Sequence, residues 1–89
     1  MPTVHFTPNL KRHIECPPAR VNARNVREAL DAVFAENMQL RRYVLDDQGR
    51  LRKHMRIAVD GEIIRDRTLL TDTVGPGSEI YVMQALSGG

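Results

Sequence analysis

Cysteine occurs once in the 89 residues, at Cys16. A single thiol excludes an internal disulfide framework and any four-cysteine zinc or iron–sulfur centre. Tryptophan is absent, and only two tyrosines and two phenylalanines are present, so there is little to stack nucleic-acid bases on. No apolar run approaches the ~20 residues that cross a bilayer. The opening Met1-Pro2-Thr3-Val4-His5 lacks the basic-then-apolar pattern of a secretory signal. The expectation is a cytoplasmic protein with no membrane association. A chain this short makes one domain with one core, and leaves hardly any room for a deep catalytic cleft as well.

The formal net charge is only +2, but it is unevenly spread. Arg41, Arg42, Arg50, Arg52, Lys53 and Arg56 fall within residues 41–56 against Asp46 and Asp47 alone. Such a segment either keeps the surface solvated or attracts acidic proteins, nucleotides or nucleic acid. Tyr43 is the one aromatic near it, which gives base stacking poor support.

Val4 and Phe6 alternate with Thr3, His5 and Thr7, the period of a half-buried strand, and this places His5 on the exposed side. Pro8-Asn9 ends it as a turn. Residues 12–22 resume an extended pattern around Ile14, Cys16 and Val21, broken by Pro17-Pro18, which predicts an edge or interrupted strand. Asn25 then caps a helix, with Glu28 three residues on as a variant capping box. Val26, Ala29, Leu30, Val33 and Phe34 share one helical face, and the helix is expected to end near Asn37. Residues 39–55 read as a long polar connection with a turn at Asp47-Gln48-Gly49, closing a local hairpin at most. Ile57 and Val59 mark a further strand, and Asp60-Gly61 is a two-residue hairpin signal. Glu62 to Arg65 returns as a short strand. Leu69, Leu70 and Val74 anchor a connection, and Pro76-Gly77 makes the last turn. Glu79 to Gln84 is the final strand, with Ile80 and Val82 on one side and Tyr81 and Met83 on the other.

One main helix cannot cover two sheet faces, so it packs across one face of a mixed sheet. The first and last strands are apolar enough to lie side by side at the centre. The expected class is α+β, a β-grasp or ubiquitin-like domain over residues 1–84, with 85–89 as a flexible tail.

The ending from Gly75 to Gly89, GPGSEIYVMQALSGG, resembles the close of the ThiS/MoaD sulfur-carrier family. There a Gly-Asp turn leads into an apolar strand, a short tail and a terminal Gly-Gly. Here Ser78 replaces the aspartate, and Met83-Gln84 stands where proline is common. Pro8-Asn9-Leu10-Lys11-Arg12, and Tyr43 to Ile63 with Gly49-Arg50-Leu51 ahead of Ile57-Ala58-Val59-Asp60, resemble the branch that feeds cysteine synthesis. The resemblance implies a carrier and not an enzyme. Its partners would be an adenylyltransferase and sulfurtransferase of the ubiquitin-E1 type and a downstream sulfur-accepting synthase for cysteine, molybdopterin or thiamine-type biosynthesis. ATP and Mg²⁺ would bind the activating partner, and this chain would bind no cofactor.

Two glycines at the last two positions arise by chance in roughly 0.5% of sequences, so the pair is suggestive only in company with the fold. Its chemical logic is direct. A carboxylate resists nucleophiles until a better leaving group replaces its oxide. Conversion of Gly89 to an acyl adenylate supplies that group, and a sulfur nucleophile then gives a thiocarboxylate. Gly88 lacks a Cβ and so clears a narrow channel. Ser87, Leu86 and Ala85 form an extended stem whose backbone can pair with a partner's strands. Leu69, Leu70, Met83 and Leu86 are candidates for an apolar docking patch, although core packing accounts for Leu69 and Leu70 equally well.

A ubiquitin-like protein modifier or a non-covalent interaction module is the competing reading, the modifier joining Gly89 to a lysine through an amide. His13 and Cys16 could supply two metal ligands, but no second pair is visible. No orienting group or glycine-rich loop accompanies them for nucleophilic catalysis either. His54 belongs to the basic segment.

Overall fold

The computed structural model describes residues 1–7 and 17–84. Among the described residues five strands and two helices follow in chain order. They are β1 (Thr3–Phe6), β2 (Ala19–Arg20), α1 (Val26–Ala35), α2 (Met38–Val44), β3 (Met55–Val59), β4 (Glu62–Ile63) and β5 (Glu79–Gln84). They form one mixed sheet in the order β2-β1-β5-β3-β4. As the alternating patterns predict, the first and last strands are neighbours. They run parallel, with His5 opposite Tyr81 and Phe6 opposite Val82. β3 pairs antiparallel with the other side of β5, and the two-residue β2 holds the edge. The expected extension of this edge through Ile14 and Cys16 lies outside the described residues, as does His13.

The period-two pattern sorts the sheet into two faces. Val4, Phe6, Met55, Ile57, Ile80 and Val82 are buried on one. Val26, Ala29, Leu30 and Phe34 from α1 complete the same core. Val33 is only partly buried and packs against its border. Asn25 Oδ1 accepts the Glu28 amide at 2.8 Å, as a helix cap should. Glu28 Oε1 reaches back to the Arg24 amide at 2.8 Å, one residue further than a capping box requires.

α1 ends at Ala35 with Glu36 as its C-cap, near Asn37 as the sequence predicts. Asn37 is not the left-handed residue that closes α1; it caps α2, accepting the Leu40 amide at 3.1 Å. The supposed long connection therefore starts with a second helix of seven residues. Leu40 and Val44, one helical turn apart, bury themselves in the core beside Leu45 and Leu51. A bridge between Leu45 and Leu51 closes the expected local hairpin around Gly49.

The Asp60-Gly61 turn has φ 51° and 89°, the positive pair that a type I′ hairpin needs. Asp60 also ties that hairpin to β5. Its amide donates to the Glu79 carbonyl at 2.9 Å, and its Oδ1 accepts the Glu79 amide at 2.9 Å. Ser78, standing where the resembled family carries aspartate, closes the preceding turn: its Oγ accepts the Gly75 amide at 2.8 Å.

Candidate functional site

β5 is the element on which the site is built, because its last residue, Gln84, precedes the Ala85 to Gly89 tail. The proposed reacting end at Gly89, its neighbour Gly88 and the stem Ser87, Leu86 and Ala85 lie outside the described residues. The body that carries them is described. Met55 pairs with Gln84 and Arg56 with Met83, so β3 holds the base of the tail, while β1 flanks β5 as far as Val82.

The second face of that sheet is open among the described residues. Tyr81 stands on it at 42% exposure and stacks on His5, ring centroids 4.6 Å apart at 13°. His5 Nε2 lies 2.6 Å from Glu79 Oε2. Parallel pairing of β1 with β5 explains this cluster: outward residues at one register fall side by side. The sequence placed His5 on the exposed face, whereas stacking leaves it half-buried. Ala58, opposite Tyr81, and Ile63, opposite Ala58, continue the face toward the β4 edge.

Of the four candidate docking residues Leu86 lies outside the described residues, and the other three divide. Met83 belongs to the open face, half-buried beside Arg56. Leu69 is 64% exposed but lies in the loop before the last turn, its carbonyl accepting Arg27 Nε from α1 at 3.2 Å. Leu70 is corrected: it is fully buried in the core and cannot face a partner. Its φ of 58° turns the chain inward, a conformation that costs a residue with a Cβ roughly 1–2 kcal/mol and is offset here by burying the whole side chain.

Two carboxylates organise the surrounding loops. Asp66 accepts the amides of Thr68, Leu69 and Thr71 and the Thr71 hydroxyl. The Thr71 hydroxyl, followed by these amides, holds its carboxyl down at about 2. Asp46 accepts the amides of Gln48 and Arg50, and Arg50 Nε at 3.0 Å. The Arg50 amide chiefly lowers its pKa. Arg27 joins both loops to α1 by donating through Nη2 to Gly49 O at 2.6 Å and Thr68 O at 3.3 Å.

The basic run of the sequence becomes the wall of an open cleft of about 740 Å³. Arg50, Arg52, Lys53, His54 and Arg56 line it together with Arg67, which sequence reading did not connect to them. The signal for Arg67 was out of reach, since its partner carbonyl on Arg52 is 15 residues away in the chain. Among the described residues no three His, Cys, Asp or Glu side chains gather as a metal site, and no helix is long and apolar enough to cross a membrane.

Known proteins resemble this arrangement. The family model described as ThiS matches residues 15–89. No curated protein matches significantly. Among solved structures, SAMP1 from Haloferax volcanii is 24% identical over 99% of this chain and 98% of that one, with a TM-score of 0.81. A chain of the Amycolatopsis orientalis BexX/CysO complex is 20% identical over 100% of both, with a TM-score of 0.82. Mycobacterium tuberculosis CysO is 17% identical over 97% of this chain and 100% of its own, with a TM-score of 0.79. These likenesses establish the ubiquitin-like β-grasp fold expected from the sequence, with the shorter α2 beside the main helix among the described residues.

Proposed function

The chain belongs to the ThiS family, and from that premise we propose that it is a sulfur carrier whose Gly89 carboxylate is activated and loaded by another protein. The observation that carries the reading is the match to the ThiS family over residues 15–89, which includes the diglycine. The position of β5 supports it: the central strand leads directly into residues 85–89.

The chemistry follows from what a carboxylate lacks. Attack of the Gly89 carboxylate on the α-phosphorus of ATP forms an acyl adenylate and releases pyrophosphate. A partner persulfide attacks the acyl carbon, AMP departs, and an acyl disulfide results. A second thiolate attacks the sulfur on the partner's side, leaving a thiocarboxylate on Gly89 and a disulfide behind. In this scheme the chain is a substrate and supplies no catalytic group. ATP and Mg²⁺ bind the activating partner, of the ubiquitin-E1 type, in the cytoplasm. Gly88 gives clearance, while Ser87, Leu86 and Ala85 span the channel. The stacked Tyr81 and His5, with Met83, form the docking face. A downstream synthase then takes the sulfur, cysteine synthesis being the branch that the sequence resemblance favours. The Amycolatopsis CysO structure, solved in complex with BexX, fits a fold that works through a protein partner.

The second reading is a protein modifier, because one of the similar structures is named a small archaeal modifier protein. Chain-dependent exchange of pyrophosphate into ATP by the cell's E1-type enzyme tests the shared first step. The exchange is expected with the full chain and absent after deletion of Gly89; exchange that survives the deletion overturns the proposed site. Conjugates to lysine that resist thiol reductant would favour the modifier over the carrier.

A further inference from the structure

The cleft beside β3 has a feature that the chemistry at Gly89 does not use. Three of its four guanidinium groups, those of Arg52, Arg56 and Arg67, are held by backbone carbonyls, while Arg50 is paired with Asp46, the one carboxylate in the lining. Arg52 Nε donates to Arg42 O at 2.8 Å, Arg56 Nη1 to Lys53 O and Met55 O at 3.0 Å each, and Arg67 Nη2 to Arg52 O at 2.9 Å. Among the described residues the salt bridges are His5–Glu79 and Arg50–Asp46, so Arg52, Lys53, Arg56 and Arg67 carry uncompensated charge. Carbonyl tethers fix the side chains of Arg52, Arg56 and Arg67 in place while leaving their charge unmatched, and so lower the entropy cost of engaging an anion. Crowding is felt at Arg67, which partial burial and then the charge of Arg56 hold below the usual guanidinium value.

We propose that this cleft seats an extended, carboxylate-rich segment of a partner protein. The shape and lining favour a peptide over other anions. Of the apolar residues lining the cleft, Leu51 is buried in the core and Ile63 is 55% exposed, so Ile63 offers the contact that suits a strand alternating acidic and apolar side chains. No glycine and no helix N-terminus lines the cleft, so the backbone N–H cradle that phosphate sites commonly use is missing. No Phe, Tyr or Trp lines it and His54 is the one ring in the lining, which gives successive bases little to stack on. Arg56 sits opposite Met83, one residue before the end of β5, and a bound segment would therefore run beside the base of the tail. The site stands independently of what happens at Gly89, and its test reads binding alone.

The test titrates the full, isotope-labelled chain with a synthetic peptide alternating glutamate and leucine, following amide shifts by NMR. Parallel titrations use the same peptide with glutamine for glutamate, tripolyphosphate, and oligothymidylate. The expected shifts centre on residues 50–56 and 63–68, weaken as salt rises and vanish with the glutamine peptide. Lys53→Glu, at an exposed position, should weaken binding roughly fivefold, and with Arg56→Gln roughly tenfold or more. Arg20→Gln, outside the cleft on β2, should change nothing. Lys53→Glu alone keeps the test valid if loss of the Arg56 tethers disturbs β3. Shifts spread over all basic residues, binding indifferent to Lys53→Glu, or tighter binding of tripolyphosphate or oligothymidylate would overturn the proposal.

Discussion

The two faces of β5 differ sharply. Ile80 and Val82 are fully buried on one side, while Tyr81 between them is 42% exposed on the other. The buried face meets α1 and α2 and holds the fold together. The open face carries the His5–Tyr81 stack, Met83 and Arg56 beside the base of the tail, and in our reading it is a docking surface. One strand thus separates stability from function by side-chain parity, so substitutions at adjacent positions should have different consequences.

The largest effect is expected from Ile80→Ala, which should cost about 2–5 kcal/mol in chemical denaturation by removing buried methylenes and leaving a cavity. Asn25→Ala removes the cap of the helix that covers the buried face and should cost about 1 kcal/mol by the same measurement. Tyr81→Ala should cost under about 1 kcal/mol, the scale of one cross-strand pair. It should nevertheless slow pyrophosphate exchange by raising the KM for the chain. If Tyr81→Ala unfolded the protein, or left that KM unchanged, the division between the faces would fail.

The smallest effect is a pH dependence at the loop edge. Asp66 has its carboxyl depressed from 3.8 to about 2 by the Thr71 hydroxyl and neighbouring amides. A depressed acid stabilises the fold above its unfolded pKa, and that contribution is lost as pH falls from near 4 through about 2. Asp66→Asn should therefore flatten the acid limb of stability against pH in that window. An unchanged limb would show that these hydrogen bonds do not favour the charged form.

Most of the sheet and α1 could be read from the sequence because their signals are local. Alternation around Val4 and Ile80, the five-residue face of α1 and the paired Asp60-Gly61 each depend on neighbours in the chain. α2 was missed because its burial rests on one pair, Leu40 and Val44, set among Arg41, Arg42 and Tyr43. Asn37 suited a helix end and a helix start equally, since its short amide serves either. Leu70 was ambiguous because the positive φ that turns it inward leaves no mark on a leucine. The basic cleft was half visible: the run through Arg56 stood out, but Arg67 and Ile63 join it only through tertiary structure. His5 and Tyr81 were placed on outward faces correctly, and their stacking required the β1–β5 register.

The central claim concerns the last residue of the chain, and intact-mass spectrometry tests it most directly. The full chain is incubated with the cell's E1-type enzyme, ATP–Mg²⁺ and a persulfide donor, and fragmentation then locates any change. The account predicts exchange of one oxygen for sulfur at Gly89, dependent on ATP and absent when Gly89 is deleted. Sulfur gained at another residue, or gained equally by the chain without Gly89, would contradict it.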